Sequence, residues 1–142
     1  TGQDNIPIVT AEENASILSG SVVYALACKS GSVLGPVAVD LGAKAFIGYK
    51  DDFGFLSQED QRAHPLKDNI LAKFLRPSNQ VAISLLKGHS AGEASAISKR
   101  YFVKEIAQLM DSETTDEETA ALPWLIWDYQ NQVCLGDGSA KI

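Results

Sequence analysis

The sequence predicts an α/β fold: a three-layer sandwich in which a mostly parallel central sheet carries helices on both faces and a β-hairpin ends the chain. Three observations carry this. Ser21-Val-Val-Tyr-Ala-Leu-Ala27 is apolar on both faces and too short for a helix of its own, the pattern of a strand buried in a parallel sheet. A small-residue turn, a short helix and a second apolar strand follow within about 30 residues, making a βαβ unit whose crossover is right-handed almost without exception. Near the end, Trp124-Leu-Ile-Trp-Asp-Tyr129 and Gln132-Val-Cys-Leu135 flank Gln130-Asn131, which reads as a hairpin at the sheet edge.

The elements follow in order. Thr10 to Glu13 fits a capping box and predicts a short helix over 11–18, ended by Ser19-Gly20. The first strand ends at Cys28, and Lys29-Ser-Gly-Ser-Val-Leu-Gly-Pro36 turns into a helix at Val37-Ala-Val-Asp-Leu41, which Gly42 stops. The second strand is Lys44 to Tyr49. Residues 50–63 have no period and follow the carboxyl end of a strand, so they are expected to form a loop over the active face. Helices are predicted over about 66–75 and, with Pro77 in its first turn, about 78–87, where Gly88 closes it. A further helix starts at Ser90 with Glu93 as capping partner, buries Ala94, Ile97, Tyr101, Glu105 and Leu109, and ends near Met110. Thr115 to Glu118 is another capping box, expected to give one short helical turn before Pro123 and the hairpin.

Composition bounds the function. The 142 residues suit a single domain spanning 1–142, and 45% hydrophobic with 21% charged residues is the balance of a globular chain. A net charge of -6, with Lys99, Arg100 and Lys104 the nearest thing to a basic cluster, argues against nucleic acid as a partner. No apolar run approaches the roughly 18 residues of a membrane span, and the first residues lack the basic and apolar regions of a signal peptide. A cytoplasmic protein is therefore expected, unless a targeting segment has been removed. Cys28 and Cys134 can make at most one bridge, and free thiols are the expectation. His64 and His89 are the only histidines, with no metal-ligand spacing, so a metal site is not implied.

A cysteine between a strand and a small-residue turn has several chemical readings. A phosphatase loop needs an arginine six residues later, where Leu34 stands. Lys29-Ser-Gly31 has the wrong order for a Walker loop, and Gly31 and Gly35 have the wrong spacing for a dinucleotide fingerprint. What survives is nucleophilic catalysis by Cys28, with backbone amides of Cys28 or its successors facing an oxyanion, beside the bland reading of Cys28 as a small core hydrophobe. Cys134, inside a strand, reads as core.

Val22-Val-Tyr-Ala-Leu-Ala-Cys-Lys-Ser-Gly31 and then Gly42-Ala-Lys-Ala-Phe-Ile-Gly-Tyr49 resemble the nucleophile strand and following strand of caspase-like cysteine peptidases, the group that includes gingipains, metacaspases and separase-like CHAT domains. Trp127-Asp-Tyr-Gln-Asn-Gln-Val-Cys-Leu-Gly-Asp137 is similar to the last strands of bacterial members. The resemblance implies a caspase-like α/β sandwich and a Cys-His dyad hydrolysing peptide bonds of a protein or peptide substrate, without metal or cofactor. The family places its histidine upstream of the cysteine and next to a glycine. None of the 27 residues before Cys28 is histidine, and neither His64 nor His89 matches the motif. Thr1-Gly2 lacks an initiator methionine, so the expectation is a carboxyl-terminal piece whose histidine lies upstream or on a second chain or domain. Two alternatives stay open: a catalytically inactive caspase-like binding or regulatory module, and a flavodoxin-like small-ligand-binding domain. Around Cys28, Lys29, Ser30 and Gly31 form the oxyanion turn; Ser30 and Gly31 give substrate access, and Lys29 either lowers the thiol pKa or is a solvated lysine. Asp51 and Asp52 either form a solvated turn or pair with a basic substrate side chain.

Overall fold

The computed structural model describes residues 7–61, 63–111 and 114–142. Its sheet has three strands, β1 (Val22–Tyr24), β2 (Ala45–Tyr49) and β3 (Gln132–Gly136), in the order β1-β2-β3. The helices are α1 (Leu34–Asp40), α2 (Asn69–Leu86), α3 (Ala91–Asp111) and α4 (Asp116–Asn131). β1 runs parallel to β2, pairing Val22 with Ala45 and Tyr24 with Ile47, whereas β3 runs antiparallel to β2, pairing Phe46 with Leu135 and Tyr49 with Gln132. The protein is thus mixed α/β as predicted, but the sheet is small and mixed rather than mostly parallel. No helix among the described residues is long and apolar enough to cross a membrane.

β2, not the strand before Cys28, is the centre of the sheet, and all five of its residues are buried. β1 is only half-buried and lies at an edge. The predicted first strand, running to Cys28, stops instead at Tyr24 because the chain turns. Ala25 still donates its amide to Ile47 O at 2.9 Å, but Ser30 Oγ then reaches back to Ala25 O at 3.2 Å and closes the turn.

The two faces of the sheet are covered differently. Phe46, with Val23 and Leu135, packs on Ala38, Leu34 and Val39 of α1. Ala45 and Ile47, with Val22, Tyr24 and Cys134, pack on Val81 and Leu85 of α2 and Ala91 and Ala94 of α3. A separate core of Phe74, Phe102, Leu109, Ala121 and Leu125 joins α2, α3 and α4. Burying each such large side chain contributes roughly 1.5–3 kcal/mol.

Three predicted elements are corrected by tertiary contacts. Residues 11–18 form a turn and a short 3₁₀ segment, Ala15–Leu18, instead of an α-helix. Thr10 Oγ1 accepts the Glu13 amide at 3.2 Å, yet the return bond to Thr10 N–H, at 2.8 Å, comes from Asn14 Oδ1 and not from Glu13. The two helices expected on either side of Pro77 are one helix, α2, with Pro77 fully buried inside it. Proline removes an intrahelical donor. Hydroxyls of Ser78, Ser98 and Tyr24 donate to the carbonyls of Phe74, Pro77 and Ser78 around it, at 2.8–3.0 Å. Finally, the terminal hairpin does not form: Trp124 to Tyr129 belong to α4, and β3 follows the helix directly. Buried Ala121, Leu125 and Asp128 lie at helical spacing, and this stripe decides the conformation over the β-propensity of the aromatic residues.

The other capping boxes and the glycine stops form as expected. Ser90 and Glu93 form a reciprocal capping box at the start of α3, with bonds of 2.8 and 3.4 Å, as do Thr115 and Glu118 at the start of α4. Gly42 and Gly88, at φ +99° and +86°, stop α1 and α2. The buried stripe of α3 differs from the expected one: Ala94, Glu105 and Leu109 are buried, Tyr101 is exposed, and Ser98 and Phe102 complete the face.

A buried polar network links the sheet to α2 and α3. Gln132 Nε2 donates to Tyr49 Oη at 3.2 Å and Ser98 Oγ at 2.9 Å, while its Oε1 accepts from Ser95 Oγ at 3.4 Å. Tyr49 Oη lies 3.0 Å from Ser78 Oγ. With Tyr49 donating to Ser78 and Ser78 to Phe74 O, every hydroxyl proton is used once. Burial pushes the Tyr49 phenol up to about 12 and the Tyr24 phenol higher still, so both remain protonated donors.

Candidate functional site at Cys28

The segment after β1 is a turn pinned to the carboxyl ends of β1 and β2. Lys29 takes a left-handed conformation at φ +56°, uncommon for a residue with a side chain. Its amide donates to Asp51 O at 3.1 Å, that of Ser30 to Ala27 O at 3.3 Å, and that of Gly31 to Tyr49 O at 2.8 Å. Ser30 is buried, and its Oγ accepts the Tyr49 amide at 3.4 Å. Gly31 packs so closely on β2 and β3 that an added Cβ would lie 2.6 Å from Val133 Cγ2 and 3.2 Å from the Tyr49 carbonyl carbon. Only glycine fits there.

Cys28 therefore stands at the outer tip of an anchored turn. Its thiol is free and exposed. Two predominantly apolar clefts of about 520 Å³ each meet at it. One runs under residues 7–12 toward Leu18, Val33 and Phe46; the other is lined by Leu26, Phe53, Phe55, Leu71 and Leu75. The bland reading of Cys28 as a packed core residue does not describe this position. It does describe Cys134, which is half-buried against the sheet core and whose thiol burial pushes upward.

The remaining candidate residues are arranged as follows. Lys29 Nζ sits 3.9 Å from Asp51 and 3.4 Å from Asp52, so the acidic pair faces the turn's own lysine. All three side chains are substantially exposed, and ion pairs of this kind contribute little to stability. Lys29, Ser30 and Gly31 spend their amides on carbonyls, whereas the Cys28 amide makes no hydrogen bond among the described residues. No histidine among the described residues lines either cleft. His64 is exposed ahead of α2, and His89 Nδ1 lies 3.7 Å from Glu93 Oε2 at the start of α3.

One part of the site was not among the sequence candidates. α4 holds the loop after β2 from behind: Trp127 Nε1 donates to Asp52 O at 2.9 Å, and the Gly54 amide donates to Asp128 Oδ1 at 2.8 Å. An added Cβ on Gly54 would lie 2.6 Å from Trp124 Cε3, so the tryptophan ring lies against the glycine. Asp128 is completely buried, its Oδ2 has no partner among the described residues, and burial pushes its carboxyl up to about 7 despite the Gly54 amide. A lone carboxylate on an apolar helical stripe is the signal that could have singled it out, had Trp124 to Tyr129 been read as helix. Phe53, held edge-on to Tyr49 at 4.9 Å, and Phe55 complete the loop's inner wall.

No family model, no curated protein and no solved structure matches the chain.

Proposed function

We propose that the chain carries the nucleophile of a caspase-like cysteine peptidase, with Cys28 attacking the scissile carbonyl. The observation that carries this is the exposed thiol on an anchored turn at the carboxyl ends of two parallel strands, where two clefts meet. In the reaction, Cys28 Sγ bonds to the carbonyl carbon while its proton passes to a histidine outside the described residues. The C–N bond then breaks, the amine leaves with that proton, and water hydrolyses the thioester. The uncommitted amide of Cys28 is the donor best placed to face the oxyanion.

The histidine-bearing segment is taken to approach the outer edge of β1, whose Val22, Val23 and Tyr24 are apolar and only half-buried. The order of α1, sheet, and α2 with α3 agrees with an α/β sandwich of that family. A cytoplasmic setting, protein substrates and a second chain or domain supplying the base belong to the same proposal. Asp51 and Asp52 act in it through Lys29, which they hold beside the thiol.

The test is proteolysis by the natural full-length protein. Cys28→Ala is expected to abolish cleavage and leave the thermal unfolding midpoint within about 2 °C, as for a surface change of a few tenths of a kcal/mol. Undiminished cleavage would rule the nucleophile out. The rival reading, an inactive caspase-like module, draws on the absence of histidine from both clefts among the described residues. It is favoured if neither protein cleaves. A flavodoxin-like phosphate site has less support, since the Lys29, Ser30 and Gly31 amides already have acceptors.

A further inference from the structure

The cleft on the α2 side of Cys28 has a definite chemical character. Leu26 comes from the turn just after β1, Phe53 and Phe55 from the loop after β2, and Leu71 and Leu75 from α2. These side chains converge from three separate stretches of chain on the space beside one thiol. Among the described residues, none that lines it is charged. Asp51 and Asp52, in the same loop as Phe53 and Phe55, do not line it and face Lys29. A basic side chain entering here would lose its hydration without gaining a counter-ion, whereas an apolar one exchanges water for leucine and phenylalanine.

The cleft is also held open from behind. Trp127 fixes the loop at Asp52 and Asp128 fixes it at Gly54, and Tyr49 supports the Phe53 ring. A wall set by hydrogen bonds to the next layer of the protein does not have to be organised by the ligand, which is the condition for selective binding of a small apolar group. The second cleft at Cys28 is walled by residues 7–12, whose preceding residues lie outside the described part of the chain.

We infer that the cleft formed by Leu26, Phe53, Phe55, Leu71 and Leu75 is a specificity subsite for a bulky apolar side chain, of the leucine or phenylalanine kind, next to the bond that Cys28 attacks. The inference rests on the peptidase reading for the word substrate, but the preference of the cleft for apolar groups can be read without turnover. It reverses the expectation that Asp51 and Asp52 select a basic residue.

Two readouts separate the claims. Alkylation of Cys28 by N-benzyl iodoacetamide, with each rate divided by that of glutathione, is expected to exceed alkylation by iodoacetamide at least tenfold, as for filling an apolar pocket. Leu75→Asp is expected to remove the excess. Phe55→Ala, at a residue already 56% exposed and therefore safe for folding, is expected to reduce it severalfold. In the full-length protein, peptides carrying leucine or phenylalanine at the cleaved bond are expected to turn over at least tenfold faster than those carrying arginine or aspartate. Equal normalised alkylation rates, or a preference for arginine, would overturn the subsite. A benzyl preference without any peptide cleavage would sink the peptidase and leave the apolar subsite standing.

Discussion

At Asp128 a carboxyl group is enclosed with one oxygen accepting the Gly54 amide and the other without a partner among the described residues. Burial raises its pKa from 3.8 to about 7, so the folded protein holds a proton that the unfolded chain releases near pH 4. Stability from this group is complete below pH 4 and is lost as pH climbs through about 7, a change on the order of 4 kcal/mol. Carboxylates such as Asp68 and Glu93 are held below their ordinary values and act in the opposite direction. Asp128→Asn separates the two. Urea unfolding of this variant and the wild-type protein at pH 5 and pH 8 is expected to show the variant gaining on wild type at the higher pH. A constant difference would remove the buried proton from the account. The same residue sets the position of the Cys28 cleft, because Gly54 separates Phe53 from Phe55. The pairing itself could not be read from the amino-acid order, since Asp128 and Gly54 lie 74 positions apart. The turn at Cys28 was legible, because the small residues Ser30 and Gly31 are a local turn pattern, although the strand before it ends at Tyr24 and not at Cys28; the pairing of Lys29 with Asp51 and Asp52 was not.

The helices and strands divide along the same line. Capping boxes at Ser90 and Thr115 act over three residues, and both helices start where those residues place them. The unbroken α2 depends instead on Ser98 and Tyr24, which reach the carbonyls around Pro77 from α3 and β1. Likewise the aromatic run in α4 satisfies either a strand or a helix by local preference, and the core beneath it chooses helix. The element junction most dependent on distant partners is Gln132, where α4 passes into β3. Gln132→Leu would leave Ser95 without an acceptor and remove a donor from both Tyr49 and Ser98. Its expected cost is about 2–3 kcal/mol in urea unfolding, with Ser95→Ala near 1 kcal/mol. Equal costs for the two would mean that the network is not anchored on the glutamine.

For the whole molecule, the small sheet is a platform more than a bulk of core. β2 is enclosed by α1 on one side and by α2 and α3 on the other, and it lends its carboxyl end to the turn that lifts Cys28 into solvent. The helical core of α2, α3 and α4 then braces the loop opposite. The molecule thereby places one exposed sulfur where two apolar clefts meet, one of them with a braced wall, and its other thiol against the sheet. Treatment of the full-length protein with a leucine-containing peptidyl acyloxymethyl ketone, followed by peptide mass spectrometry, tests this arrangement as a catalytic one. The account predicts a thioether adduct on Cys28, none on Cys134, and none in the Cys28→Ala protein. An unlabelled Cys28, or labelling shared equally with Cys134, would contradict it.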